Sequence, residues 1–230
     1  PDQAVAMCIA YYEGYQDKAY NLDKGGKYEY WKAFDRLRET FQSKYERRIR
    51  KAFAEQLQIF EDASTIADLR KDIREEPIQE AFLDLYTEVG DRFARNTYQG
   101  LKNQPYPETK QDPSWLERMK RYVTVEALSR IRGINDTTRR RLALALQIGL
   151  ENGEGIDDIK RRIMSINGTL AGRARTIART EIISASNAGS LAGADSTGLN
   201  YTKEWVSTFD GKARKDHESW DGQTASKGQK

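Results

Sequence analysis

The sequence contains little cysteine, histidine or proline, and it has no long apolar run. Its 230 residues include one cysteine, Cys8, and one histidine, His217. A single cysteine excludes an intrachain disulfide, and a single histidine without neighbouring cysteines leaves a tetrahedral zinc set incomplete. No apolar stretch approaches the roughly 20 residues that a membrane-spanning helix needs. We therefore expect no disulfide framework, and no membrane among the partners.

Several enzyme motifs are also missing. The sequence has no Gly-rich Walker or dinucleotide pattern and no Gly-x-Ser-x-Gly elbow. These absences make nucleotide hydrolysis and serine-hydrolase chemistry unexpected, and we expect no cofactor. Charged residues make up 32% of the chain and apolar ones 38%. That composition is typical of a folded, well-solvated helical protein with a core of its own.

The charge is distributed unevenly along the chain. Residues 1–100 contain 16 Lys and Arg against 19 Asp and Glu, whereas residues 101–230 contain 22 against 16. The basic second half suits a polyanion or an acidic partner surface.

The first half of the sequence predicts long helices. Helices are predicted over 4–22, 28–60, 65–75 and 77–101, with a chain break at Gly25-Gly26. The longest has an apolar stripe at steps of three and four: Trp31, Phe34, Leu37, Phe41, Tyr45, Ile49, Phe53, Leu57 and Phe60. This stripe is either the spine of a bundle or, together with the tyrosine-rich N-terminus, a surface for a partner. We expect residues 1–103 to form an N-terminal bundle of long helices.

A proline-rich linker and a second domain are predicted to follow. The linker is 104–113, with Pro105, Pro107 and Pro113 among polar residues. Residues 114–230 are expected to form a helical domain with a small β element around Trp205, so the predicted class is mainly α. Its predicted helices are 114–132, 135–151, 156–166 and 169–195, and the second and third should form an αα-hairpin.

Helix 169–195 is rich in Ala, Ser and Gly. Each glycine inside a helix costs roughly 1 kcal/mol relative to alanine. Such a helix persists only where close packing offsets the loss, so we expect it to lie flat against a neighbouring element. Thr180 and Glu181 should then face the strand and turn that follow.

Several charged and titratable side chains lie close together in a predicted turn near the end of the sequence. It contains Asp210, Arg214, His217 and Asp221, followed by Gly222. Three interpretations remain open: a hydrogen-bonded structural hub, a divalent-metal site built on Asp210, His217 and Asp221, or an acid/base pair. Glu181 could pair with Arg214 or hydrogen-bond His217, which would fix the helix to this turn.

A basic set of eight residues lies in the predicted αα-hairpin and the helix before it. Its members are Arg130, Arg132, Arg139, Arg140, Arg141, Lys160, Arg161 and Arg162. A run such as 139–141 winds around a helix, so part of it must face solvent. The set is either a solvated surface or a contact for DNA phosphates or an acidic partner.

The stretch from Ile177 to Gly222 resembles the C-terminal domain of phage head-morphogenesis proteins, the Mu F-like minor head protein family. The matching residues are Ala178, Arg179, Thr180, Glu181, Ala185, Ser186, Asn187, Gly198, Lys203, Glu204, Trp205, Asp210, Arg214, His217, Asp221 and Gly222. Family members usually continue with a Gly/Pro-rich segment and a short Cys-Arg-Cys stretch, which this sequence does not show. We therefore expect the Mu F-like domain, with its core at 169–222, to continue beyond Lys230.

The resemblance implies a minor head protein of a tailed phage or prophage, found in the head near the portal and in the host cytoplasm during assembly. Its implied partners are the portal protein, the major capsid protein or a scaffolding protein, and non-specifically bound double-stranded DNA. The implied role is head assembly with DNA packaging or ejection, and not catalysis. Two alternatives remain: a metal-dependent nuclease or hydrolase using Asp210, His217 and Asp221, and a translocation or adaptor module of a phage-derived toxin.

Overall fold

The computed structural model describes residues 11–12, 24–102, 114–206 and 219–228. The helices in these ranges are α1 (Lys24–Gln58), α2 (Ile66–Leu69), α3 (Glu76–Lys102), α4 (Ser114–Val125), α5 (Leu128–Glu151) and α6 (Ile156–Ser196). Strands β1 (Tyr11–Tyr12), β2 (Tyr201–Glu204) and β3 (Thr224–Ser226) form one antiparallel sheet in the order β1-β2-β3. The predicted class, mainly α with a small β element near the C-terminus, is confirmed. None of the described helices has the length and apolar character needed to cross a membrane.

Helix α1 confirms the longest predicted helix, and the second half of its apolar stripe is core. Tyr45, Ile49, Phe53 and Leu57 are at most 1% exposed. Residues three and four apart share one helix face, so this face is covered by the chain itself. The alternative prediction, that the stripe is a surface for a partner, is therefore wrong for the second half of the stripe. The predicted break at 25–26 is also wrong, because both glycines lie inside the first turns of α1.

The N-terminal helix predicted over 4–22 is wrong where the structure describes it. Tyr11 and Tyr12 form β1 and pair with Thr202 and Tyr201 of β2. Aromatic residues favour strands when a partner strand is present, and that long-range pairing overrides the local helical pattern. The remaining residues of 4–22 lie outside the described ranges.

The boundary between α4 and α5 differs from the predicted one. Helix α4 ends where the backbone N–H groups of Glu126 and Ala127 both donate to the carbonyl of Tyr122 at 2.9 Å. Asn135, predicted to begin a helix, instead lies buried within α5 and accepts a 2.8 Å hydrogen bond from Gln56 Nε2. This long-range bond favours Asn135 inside a helix despite its weak intrinsic preference. The predicted helix 65–75 is reduced to α2, which Thr65 caps through a reciprocal box with Asp68.

Helix α6 joins two segments that were predicted to be separate helices. The predicted ends at 166 and 169 are wrong, because Asn167 and Gly168 continue one helix of 41 residues. The predicted αα-hairpin is confirmed as α5 and the start of α6. Gly153 adopts a positive φ of 67° in the connection, and an ion pair joins Glu154 to Arg162. Only glycine adopts such a φ without strain.

The chain divides into two compact units. The first unit contains Pro1–Phe41, Leu85–Lys120 and Thr180–Lys230, and the second unit contains Gln42–Asp84 and Arg121–Arg179. Each unit is assembled from stretches on both sides of the predicted linker. Residues 103–113 lie outside the described ranges, so the predicted division at 104–113 stays a prediction.

Candidate functional site

Within the first unit, the small residues of α6 lie directly against α3. A Cβ built on Gly189 would lie 2.7 Å from the Cα of Gly90, and a Cβ built on Gly193 would lie 2.7 Å from the Cα of Ala94. Real Cβ atoms do not approach this closely, so the two backbones can meet only because these positions are glycine. The prediction that the small-residue helix lies flat against a neighbour is confirmed for this part of α6.

A buried arginine joins α1 to α6 in the same unit. Arg38 is 5% exposed, and it donates from Nε to Ser186 Oγ at 2.8 Å and from Nη2 to Asn187 Oδ1 at 2.9 Å. Its guanidinium also lies over the ring of Phe93, 5.9 Å from the centroid. Burial lowers the pKa of Arg38 to about 10, still well above neutrality. Asn187 is therefore held by a cation 149 residues away in sequence.

Glu181 is 3% exposed and bonds to α3. The hydroxyl of Tyr86 donates to Glu181 Oε2 at 2.7 Å. A buried carboxylate is tolerated only where hydrogen bonds replace its lost hydration, and Tyr86 supplies one. Thr180 is partly buried and Arg179 is exposed. Arg214 and His217 lie outside the described residues, so their pairing with Glu181 stays a prediction.

Trp205, immediately after β2, and Gly222, just before β3, lie next to each other. The backbone N–H of Trp205 donates to the carbonyl of Gln223 at 2.8 Å, and that of Gly222 donates to the carbonyl of Trp205 at 2.9 Å. Gly222 has a φ of +82°, which only glycine adopts easily, and Asp221 beside it is exposed. The indole of Trp205 meets Trp220 edge to face, with centroids 5.3 Å apart.

The metal and acid/base hypotheses rest on residues outside the described ranges. Asp210 and His217 belong to 207–218, and of that triad only Asp221 is described. Within the described ranges there is no group of three or more His, Cys, Asp or Glu that could hold a metal ion. The three interpretations of the C-terminal turn therefore stay predictions.

Half of the basic set is held by partners within the second unit. Arg139 forms ion pairs with Asp72 at 2.7 Å, Glu75 at 2.7 Å and Asp136 at 3.0 Å. Its hydrogen bond to Asp72 lowers the pKa of that carboxyl. Arg161 pairs with Asp158, Arg162 pairs with Glu154, and Lys160 donates to the carbonyl of Glu61 at 2.8 Å.

The other half of the basic set is less constrained. Arg130 lies over the ring of Tyr122 at 5.8 Å. Arg132 and Arg140 are exposed and Arg141 is partly buried, and none of these three has an ion pair among the described residues. Phosphate or acidic-partner contact by the set stays a prediction, and these three are its most available members.

Sequence reasoning missed the residues outside the motif that hold it in place. Arg38 lies outside the apolar stripe of α1, and nothing in its local sequence distinguishes it from an exposed charge. Nothing in the local sequence distinguishes Tyr86 from an ordinary core residue. Gly90 was the one usable signal, because a glycine inside the strongly helical pattern of α3 indicates close approach of another backbone. Nothing in the sequence pairs Gly90 with Gly189 in advance.

Comparison with protein-family models gives a match to the C-terminal part of the chain. Residues 140–227 match the family described as Phage Mu protein F like protein, and residues 1–139 lie outside that match. No curated protein and no solved structure gives a significant match. The matched segment contains the second half of α5, all of α6, β2 and β3, and with them every motif residue quoted above. Over residues 140–227 the chain is therefore similar to the family described as Phage Mu protein F like protein.

Proposed function

We propose that this protein is a minor head protein of a tailed phage or prophage that binds the portal or the procapsid and assists head assembly. The observation that carries the proposal is the family match over 140–227. The proposed location is the phage head near the portal, reached from the host cytoplasm during assembly. The proposed partners are the portal protein, the major capsid protein or a scaffolding protein.

The geometry of the described motif residues supports a docking module rather than a reaction centre. Glu181 and Asn187 are engaged in hydrogen bonds to Tyr86 and Arg38. The backbone of Trp205, immediately after β2, forms hydrogen bonds with the backbone of Gly222 and Gln223, just before β3. These contacts position helices and a strand, which is what a module that presents a surface to an assembly partner requires.

The test is incorporation into heads. A tagged copy of the chain is expressed in cells that assemble the heads of the phage encoding it, and the heads are purified before and after DNA packaging. We expect the chain in both fractions and in complexes recovered with the ring-forming portal protein. Recovery of the chain only as free protein, with heads forming normally in its absence, would contradict the proposal.

A matched pair of variants separates specific incorporation from adventitious trapping. Gly189→Leu places a bulky side chain where α6 meets α3, so it should abolish incorporation together with the fold of the first unit. Gly168→Ala adds a methyl group where no heavy atom lies within 4 Å, so incorporation should be retained. Equal trapping of both variants would indicate non-specific inclusion.

The rival enzymatic function has its own assay. The purified chain is incubated with duplex DNA and Mg²⁺ or Mn²⁺, beside a His217→Ala variant. Under the proposed function, neither protein cleaves DNA. Metal-dependent cleavage that His217→Ala abolishes would replace the docking role with a nuclease built on Asp210, His217 and Asp221.

A further inference from the structure

Two side-chain amides, Gln56 of α1 and Asn135 of α5, meet in the core of the second unit. Both residues are 0% exposed. Gln56 Nε2 donates to Asn135 Oδ1 at 2.8 Å and to the main-chain carbonyl of Arg74 at 2.7 Å. The other two polar atoms of the pair, Gln56 Oε1 and Asn135 Nδ2, are buried and have no hydrogen-bond partner in the part of the chain that the structure describes.

The neighbouring groups fix which atom of each amide is left over. A half turn of a side-chain amide exchanges its oxygen and its nitrogen, so both orientations have to be considered. Turning Gln56 would point its oxygen at two other acceptors, the carbonyl of Arg74 and Asn135 Oδ1. Turning Asn135 alone would point its NH2 group at that of Gln56, and turning both would still oppose two oxygens at Arg74. The unsatisfied atoms are therefore an acceptor on Gln56 and a donor on Asn135.

The residues around the pair supply no further polar partner. Leu57 beside Gln56, and Ile131 and Ile134 before Asn135, are buried and apolar. Thr138, one turn further along α5, is also 0% exposed, but its hydroxyl donates to the carbonyl of Ile134 at 3.2 Å. Buried polar groups in folded proteins are nearly always bonded either to the protein or to an ordered water.

The chemistry of the two atoms selects the ligand. A cation would be attracted to Gln56 Oε1 and repelled by the NH2 group of Asn135, and an anion would meet the reverse. A water molecule can donate to the first atom and accept from the second, and buried waters bond polar groups of this kind. Each unsatisfied atom shares a carbon with an atom of the 2.8 Å bond, so both belong to one small site. We propose that Gln56 Oε1 and Asn135 Nδ2 bind one internal water molecule that bridges α1 to α5.

The water completes a polar link between separate stretches of the second unit. It adds a second connection from α1 to α5, beside the direct bond, while Gln56 also holds the carbonyl of Arg74 just before α3. A shift of α5 along α1 would break these bonds together, so the network specifies one position of the helix. This role depends on neither the proposed function nor its partners.

A crystal structure of the full chain, at a resolution that shows ordered water, tests the site directly. We expect density for one water within hydrogen-bond distance of both Gln56 Oε1 and Asn135 Nδ2. Density for two separate waters would overturn the bridge. A direct bond between the two atoms, or no density beside them, would overturn the site.

NMR in solution tests whether the water stays bound. The side-chain NH2 group of Asn135 should show cross-relaxation with water of the sign that a long-lived internal molecule gives. Gln147 is the matched control, because it is an exposed amide on the same helix that bonds to Glu151 at the surface. Thr138→Val removes a hydroxyl that could relay the signal by proton exchange. An equal signal at Asn135 and Gln147, or loss of the Asn135 signal in Thr138→Val, would overturn the proposal.

A substitution tests the number of bound waters. Asn135→Leu removes the donor and keeps a side chain of similar size, so oxygen-17 relaxation should count one long-lived water fewer per molecule than in the parent chain. Gln147→Leu should leave the count unchanged. An unchanged count in Asn135→Leu with its helical circular dichroism retained would contradict the site. If Asn135→Leu does not fold, the crystal structure and the NMR signal of the parent chain still decide.

Discussion

The guanidinium of Arg38 donates a 2.9 Å hydrogen bond to the side-chain carbonyl of Asn187 inside the first unit. Asn187 belongs to the Mu F-like segment, and Arg38 lies far outside it, on α1. A residue of the family motif is thus satisfied by a part of the chain that the family match does not reach. The part of this segment that lies in the first unit is therefore completed by residues outside the family match.

Arg38→Ala should destabilise the chain by on the order of 2 kcal/mol, because Ser186 and Asn187 both lose a buried donor. Urea unfolding measures the change. The control is Arg36→Ala on the exposed part of the same helix, which should stay within about 0.5 kcal/mol of the parent chain. A double-mutant cycle with Asn187→Ala should show that the two losses are not additive. Additive losses would mean that the hydrogen bond between Arg38 and Asn187 contributes no interaction free energy to stability.

Gly189→Ala and Gly193→Ala should each destabilise the chain by about 3 kcal/mol, because the new methyl groups would overlap the backbone of α3. Gly168→Ala is the matched control within α6. It meets open space, and alanine is the better helix former, so it should stabilise the chain by about 0.5–1 kcal/mol. Thermal unfolding of the three variants gives the comparison. If all three moved in the same direction, the close approach of α6 to α3 would be disproved.

Glu181→Ala should melt well below Glu151→Ala. Glu181 is buried and bonded to Tyr86, whereas Glu151 is exposed and accepts a surface hydrogen bond from Gln147. Tyr86→Phe isolates the bond itself and should cost about 1–3 kcal/mol, since a buried carboxylate loses a donor. Melting temperatures that are equal for Glu181→Ala and Glu151→Ala would remove the argument for Glu181 as a structural residue.

Acid should destabilise the second unit partly through Asp72. The hydrogen bond from Arg139 lowers the pKa of Asp72 below its ordinary value of 3.8. The bond therefore stabilises the folded chain at pH values above 3.8, and this stabilisation is lost as the pH falls through the lowered pKa. The melting temperature should therefore fall more between about pH 5 and about pH 2.5 in the parent chain than in Arg139→Gln. Arg140→Gln, which removes an exposed neighbour that has no ion pair among the described residues, should behave like the parent chain. An identical acid dependence in all three proteins would exclude this pair as a contributor.

The sequence predicted what periodicity and composition determine. The long apolar stripe of α1 is largely core, α3 has nearly its predicted bounds, and the small residues of α6 pack against a neighbour as expected. These features follow from local patterns, because side chains three and four apart must share a helix face. The family resemblance likewise followed from spacing within one continuous stretch.

The errors arose where long-range contacts outweigh local preference. Asn135 and Gly168 are poor helix formers and suggested boundaries, yet each lies within a helix. Asn135 is satisfied by Gln56, which is 79 residues away. Tyr11 and Tyr12 are in a strand because β2 offers them a partner. None of these pairings can be predicted from a window of neighbouring residues. The contacts of Arg38 and Tyr86 were missed for the same reason, because their partners are far away in sequence.

The bond from Arg38 and the contact at Gly90 also constrain how related genes can exchange parts. Recombination that joined a foreign N-terminal half to this C-terminal segment would supply α1 and α3 from another source. If that source lacked a cation opposite Asn187 or a small residue opposite Gly189, the hybrid would have a mismatched contact at that position. Viable exchanges should therefore preserve these two positions together, even where the rest of the N-terminal half has diverged beyond recognition.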